Sequence, residues 1–174
     1  MSAPSLEPDR ATAGPQRVNP ALFDRAERRR LSGPGLRTFL SICDVWRLTE
    51  AERLRILGAP GRSTYHDWAK AAREHRDLAL SLDTLTRISA ILGIYRALLI
   101  LEGDDASSVR WLRSQHGAPV FAGRPPLELV TDGSLDALLT VRRFLDAARG
   151  GLYMPPNVVD EGFTPYEDDD IELS

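Results

Sequence analysis

Residues 48–73 read LTEAERLRILGAPGRSTYHDWAKAAR, and this stretch decides the fold. Thr49 and Glu52 stand three apart ahead of Leu54 and Leu57. That is the spacing of a capping box, in which each side chain satisfies a backbone N–H that a helix start leaves open. Gly58 follows as a residue suited to the left-handed position that closes a helix, so a two-turn helix is predicted over Thr49–Leu57. After the turn Gly58-Ala59-Pro60-Gly61, Ser63 is the expected N-cap of a second helix from Thr64 to about Arg73, with Tyr65, Trp68, Ala69 and Ala72 available for packing. Two short helices around a tight glycine-containing turn form a helix-turn-helix signature.

The flanking sequence has the same helical period. Leu36, Phe39, Leu40, Cys43 and Trp46 share one face, which makes Cys43 a core residue. Upstream, Asn19-Pro20 is read as the start of a short helix through Leu22, Phe23 and Ala26, ended by Arg28-Arg29-Arg30 before Gly33-Pro34-Gly35. Downstream, Asp83 is the expected cap of a long helix carrying Leu85, Ile88, Leu92, Tyr95 and Leu99 and ending at Gly103. Asp104 or Asp105 opens the next helix, which Gly117 closes; Pro125-Pro126 starts a short one, and Ser134 caps the last, with Leu138, Val141, Leu145 and Ala148. Nothing alternates with period two, so the expected fold is all-α, with about seven helices.

The formal net charge of -3 hides an asymmetry. Residues 1–35 carry 6 arginines against 4 acids, residues 36–103 carry 10 basic residues against 8 acids, and residues 104–151 are balanced. Residues 152–174 hold 7 acids and no base, so the body of the chain is mildly basic and the acid excess lies in the tail. The longest apolar-rich run, Ile88 to Leu101, is 14 residues and contains Arg96, short of the roughly 20 that cross a bilayer, so no membrane partner is expected. The stretch Met1 to Arg10 lacks an apolar segment behind basic residues, so a cytoplasmic location is expected.

Catalysis needs a nucleophile beside a base, or paired carboxylates, and the spacing offers neither. His66, His75 and His116 have no patterned partners, and one cysteine gives no metal-ligand cluster, so neither enzyme activity nor a metal nor a cofactor is expected. The second helix of the signature is more specific. Arg62 has the donors to read a guanine edge, Ser63, Thr64 and His66 share its N-terminal end, and Lys70 and Arg73 suit backbone phosphate.

From Leu48 to Gly151 the chain resembles the MbcA/ParS/Xre antitoxin family, partners of RES-domain toxins. In the first half the resemblance lies in Leu48-Thr49, Leu57-Gly58, Ser63-Thr64, Trp68 and the run from Arg87 to Tyr95. In the second half it lies in Trp111-Leu112, Phe121, Gly123, Pro126 to Leu129, Gly133, Val141 to Asp146 and Gly150-Gly151. It implies an Xre-like helix-turn-helix and dimerisation domain at 36–103 and a toxin-binding helical domain at 104–151. A flexible extension with a short helix at 1–35 and an acidic tail at 152–174 flank them. It further implies operator DNA as a partner, a homodimer within a larger complex, and inhibition of a toxin that degrades NAD or transfers its ADP-ribose. Phe121, Arg124, Leu152, Tyr153, Met154 and Asn157 are the expected toxin contacts, the tail residues lying over the NAD cleft. The rival reading is a transcription regulator whose C-terminal domain only oligomerises.

Overall fold

The computed structural model describes residues 24–150. Among them the chain forms α1 (Arg25–Val45), α2 (Glu50–Ile56), α3 (Arg62–Arg73), α4 (Leu82–Glu102), α5 (Asp105–Arg113), a 3-10 turn at Pro119–Phe121, α6 (Pro126–Thr131) and α7 (Leu135–Arg149), with no strand. The all-α expectation holds.

The central element is α4, which is apolar around its circumference and therefore suited to a core. It buries Leu85, Ile88, Ala90, Ile91, Ile94, Ala97 and Leu98. Helix α1 lies against one side of it, α7 against another, and α5 beside its C-terminal end. One continuous core runs from Leu36, Phe39 and Trp46 through Ile91 and Leu98 to Leu138, Val141 and Leu145, crossing the division expected at residue 103. At 21 residues, α4 is longer than the 14-residue apolar run suggests, and by length and composition alone it would span a bilayer. Here it packs inside the helical assembly.

The capping box at Thr49 forms as expected: the Glu52 backbone N–H donates to Thr49 Oγ1 at 3.3 Å and the Thr49 N–H to Glu52 Oε2 at 2.7 Å. Asp104 and Ser134 cap α5 and α7, and hydrogen bonds from the Ser107 amide and hydroxyl hold the Asp104 carboxyl below its usual pKa. Other boundaries move. Helix α3 starts at Arg62 behind Gly61, so Ser63 lies within the first turn, and α4 is capped by Ser81, because Asp83 pairs with Arg87 instead. Helix α5 ends at Arg113 with Ser114 as its cap, ahead of Gly117.

The largest correction concerns Gly33-Pro34-Gly35, expected to separate two helices but contained within α1. Tertiary packing overrides the local breakers. Ser32, completely buried, donates to the Arg28 carbonyl at 2.6 Å and accepts from the Leu80 N–H at 2.9 Å, tying this part of α1 to the chain entering α4. Gly35 lies against α4, where a Cβ would sit in ordinary van der Waals contact, 3.6 Å from the Ile88 side chain. The helix start proposed at Asn19-Pro20 lies outside the described residues; within them, Asp24 caps α1.

Ser32→Ala removes the acceptor that the buried Leu80 N–H has among the described residues, and such an orphan costs about 1–3 kcal/mol. The urea midpoint of the variant should fall accordingly, with the m-value unchanged.

Candidate functional site

Helix α3 divides into two faces. Tyr65, Ala69, Ala71 and Ala72 point inward, while Arg62, Ser63, Thr64, His66, Lys70 and Arg73 are all exposed; at about 100° per residue Arg62, Ser63, His66, Lys70 and Arg73 share one side of the helix, whereas Thr64 lies apart from them beside buried Ala71. Asp67 shares that surface. Helix α1 holds α3 through a hydrogen bond from Arg37 Nη1 to the Ala72 carbonyl at 3.0 Å.

At the N-terminal end, Glu50 of α2 lies 3.3 Å from the Arg62 guanidinium and 3.4 Å from His66 Nε2. Since Arg62 and His66 are more than half exposed, these pairs hold the side chains loosely. The Ser63 and Thr64 hydroxyls have no partner among the described residues. Between α2 and α3 lies an open depression of about 310 Å³, floored by Tyr65 and rimmed by Glu50, Arg53, His66 and Arg73. Arg53 stiffens it: its Nε donates to the Leu48 carbonyl at 3.0 Å and its Nη2 to Asp44 at 2.8 Å. Burial pulls the Arg53 pKa down, but hydrogen bonds to Asp44 and Tyr65 outweigh it and the net shift is upward.

A second surface lies on the C-terminal half. Trp111, His116, Phe121 and Phe144 form an aromatic cluster in which Phe121 meets Trp111 edge-on at 5.8 Å and Phe144 at 4.9 Å. His116 joins it at 4.8 Å from Phe121 and accepts from the Ala118 N–H through Nδ1 at 3.1 Å. Over this cluster Val120, Thr140, Arg143, Phe144 and Ala147 line an open depression of about 310 Å³.

Phe121, expected at the toxin surface, is 0% exposed, whereas its neighbour Val120 is 36% exposed. The 3-10 turn beginning at Pro119 points consecutive side chains about 120° apart, so one goes in and the next out. Arg124 is exposed, 3.9 Å from Glu128. Leu152, Tyr153, Met154 and Asn157 lie outside the described residues. Val120 and Arg143 were not among the residues expected from the sequence; the phase of that turn turns Val120 outward, and the helical period of α7, which buries Leu138, Val141 and Leu145, leaves Arg143 exposed. Cys43 is a core residue, as its spacing indicates: it is fully buried, and burial pushes its thiol up to about 12. Among the described residues no group of three or more His, Cys, Asp or Glu is placed to hold a metal.

Residues 96–151 match the model of the antitoxin Xre/MbcA/ParS C-terminal toxin-binding domain. That segment takes in the end of α4, α5, the 3-10 turn, α6 and α7, and hence both the aromatic cluster and the depression above it. The chain is also 37% identical over 116 residues to "Uncharacterized protein y4oB" of Sinorhizobium fredii (strain NBRC 101917 / NGR234), covering 67% of this chain and 84% of the relative. This chain belongs to the Xre/MbcA/ParS antitoxin family, and residues 96–151 are the segment that matches the toxin-binding domain of that family.

Removing a buried phenyl ring costs about 3–5 kcal/mol. Phe121→Ala should therefore lower stability by an amount in that range on urea unfolding, and any loss of partner binding should track the fraction unfolded. A variant that unfolds like the parent yet loses its partner would return Phe121 to the contact surface.

Proposed function

We propose that the protein neutralises a RES-type toxin, one that degrades NAD or transfers ADP-ribose, by covering its active site. The observation that carries this reading is the toxin-binding domain match over residues 96–151, which contains the exposed depression around Val120 and Arg143. An exposed valine beside a cationic side chain, on a floor of packed aromatic rings, fits an apolar contact with a polar rim. The tail after Gly151 follows directly from α7, and its 7 acids with no base complement a cleft whose basic residues hold pyrophosphate. Leu152, Tyr153, Met154 and Asn157 are assigned to that contact.

The same protein binds operator DNA through the exposed face of α3 and represses its own synthesis, acting as a cytoplasmic homodimer without a membrane partner. What supports this is the exposure of Arg62, Ser63, Thr64, His66, Lys70 and Arg73, together with the hydroxyls of Ser63 and Thr64, which have no partner among the described residues. Paired half-sites are the usual target of dimeric helix-turn-helix proteins. The protein does no chemistry of its own in this scheme; the active site is the toxin's.

The test is co-expression with the product of the adjacent reading frame. The full chain should relieve growth arrest, preserve cellular NAD and co-purify; Val120→Asp combined with Arg143→Glu should abolish co-purification while leaving the thermal melt unchanged. Truncation after Gly151 should retain binding but weaken inhibition. Full inhibition by the truncated chain would remove the tail from the active site, and a harmless neighbour that never co-purifies would favour a regulator whose C-terminal half only oligomerises.

A duplex from upstream of the gene should shift in a gel with the parent protein, and Arg62→Ala with Ser63→Ala should lose the preference for that duplex over random sequence. Equal binding to both duplexes by the parent would contradict operator recognition.

A further inference from the structure

Helix α1 opens with a concentration of positive charge that folding alone does not account for. Arg25, Arg28, Arg29 and Arg30 fall within its first two turns. The N-terminal end of a helix carries partial positive charge, so cations there are unfavourable, and like charges three or four positions apart repel. Arg30 is compensated by an ion pair with Glu27, and the Asp24 carboxylate is engaged as the N-cap, accepting from the Ala26 N–H. The other three have no such partner among the described residues. Arg25 and Arg29 are exposed, and Arg28 Nε is shielded from water; among the described residues Arg25 and Arg29 have no ion pair and Arg28 Nε no hydrogen-bond partner.

These three share a helix face, at i, i+3 and i+4, and the next position on it is Ser32, whose hydroxyl meets the Leu80 N–H. The stripe thus runs out from the point where α1 crosses the chain leaving α3. The Arg37 bond to the Ala72 carbonyl fixes α1 at the C-terminal end of α3, beside which Lys70 and Arg73 are exposed. At 1.5 Å per residue, Arg25 to Arg29 lie roughly 12–18 Å along α1 from that anchor. The acids on the approach are Glu74, held 2.7 Å from Arg76, and exposed Asp77.

We infer that Arg25, Arg28 and Arg29 form a phosphate-binding stripe that extends the α3 surface along the backbone of bound duplex DNA. Guanidinium groups suit phosphate oxygens through paired N–H donors, and phosphate would supply the counter-charge this helix end lacks. The stripe contributes affinity and orientation without reading sequence. This rests on the DNA-binding reading above.

The experiment compares the full-length parent with Arg25→Ser/Arg28→Ser/Arg29→Ser on a labelled random-sequence duplex and on the upstream duplex, by anisotropy across a salt series. Each phosphate neutralised contributes about 0.9 to the slope of log K against log salt, so the triple variant should lose about 2 to 3 units on both duplexes. Its preference for the upstream duplex should persist, and its melting temperature should be equal or higher, because unfavourable charge has been removed. A lowered melting temperature with an unchanged slope would make the arginines structural and overturn the inference. An unchanged slope with normal stability would overturn it too, leaving the stripe to an acidic protein surface. If the parent binds neither duplex at any salt, the DNA-binding reading itself fails and this inference falls with it.

Discussion

Burial of α4 is the constraint on which the rest of the structure depends. Its apolar circumference has to be covered on several sides at once, and α1, α5 and α7 are the covers. One close approach makes this possible: Gly93 of α4, whose missing side chain leaves the space taken by the Arg142 guanidinium. Arg142 is held there by Asp146 one turn further along α7, at 2.7 Å. The α3 face and the α7 depression are therefore both carried on elements tied to one core, and the toxin-binding half does not stand apart from the rest of the packing.

Arginine provides the second level of order. Arg55 Nε donates to the Thr131 carbonyl at 2.7 Å, Arg87 Nη1 to the Gly133 carbonyl at 2.9 Å, and Arg113 Nη2 to the Trp46 carbonyl at 2.8 Å. Each joins the α1–α4 half to the α5–α7 half. Several of the accepting carbonyls lie at helix C-terminal ends, where backbone oxygens have no partner within the helix and a cation is favourable. Of 22 basic residues only Lys70 is lysine, a bias that has no evident meaning in the sequence. In the fold, the planar guanidinium reaches across elements to carbonyls that would otherwise be unsatisfied.

Local chemistry was legible and long-range chemistry was not. The Thr49–Glu52 box and the Ser134 cap are encoded within four residues and the structure has them as read, and of Asp104 and Asp105, left open by the sequence, Asp104 caps α5. On α3 the packing residues read from periodicity, Tyr65, Ala69 and Ala72, are buried, and Trp68 is half-buried. The continuity of α1 through Gly33-Pro34-Gly35 was hidden because it depends on Ser32 meeting Leu80, 48 positions away. Helix ends were obscured for another reason: α1 and α3 close through left-handed Arg47 and His75, with φ of 54° and 56°, where glycine is the usual signal. Phe121, expected as a contact, is buried while its neighbour Val120 is exposed, because one step in the phase of a 3-10 turn decides which faces outward.

Amide hydrogen exchange of the full chain, with and without the product of the adjacent reading frame, tests the central claim most directly. The account predicts that added protection concentrates at residues 119–124 and along the exposed side of α7, leaving α3 free. Protection confined to α3, with the 119–124 and α7 amides unchanged, would contradict it.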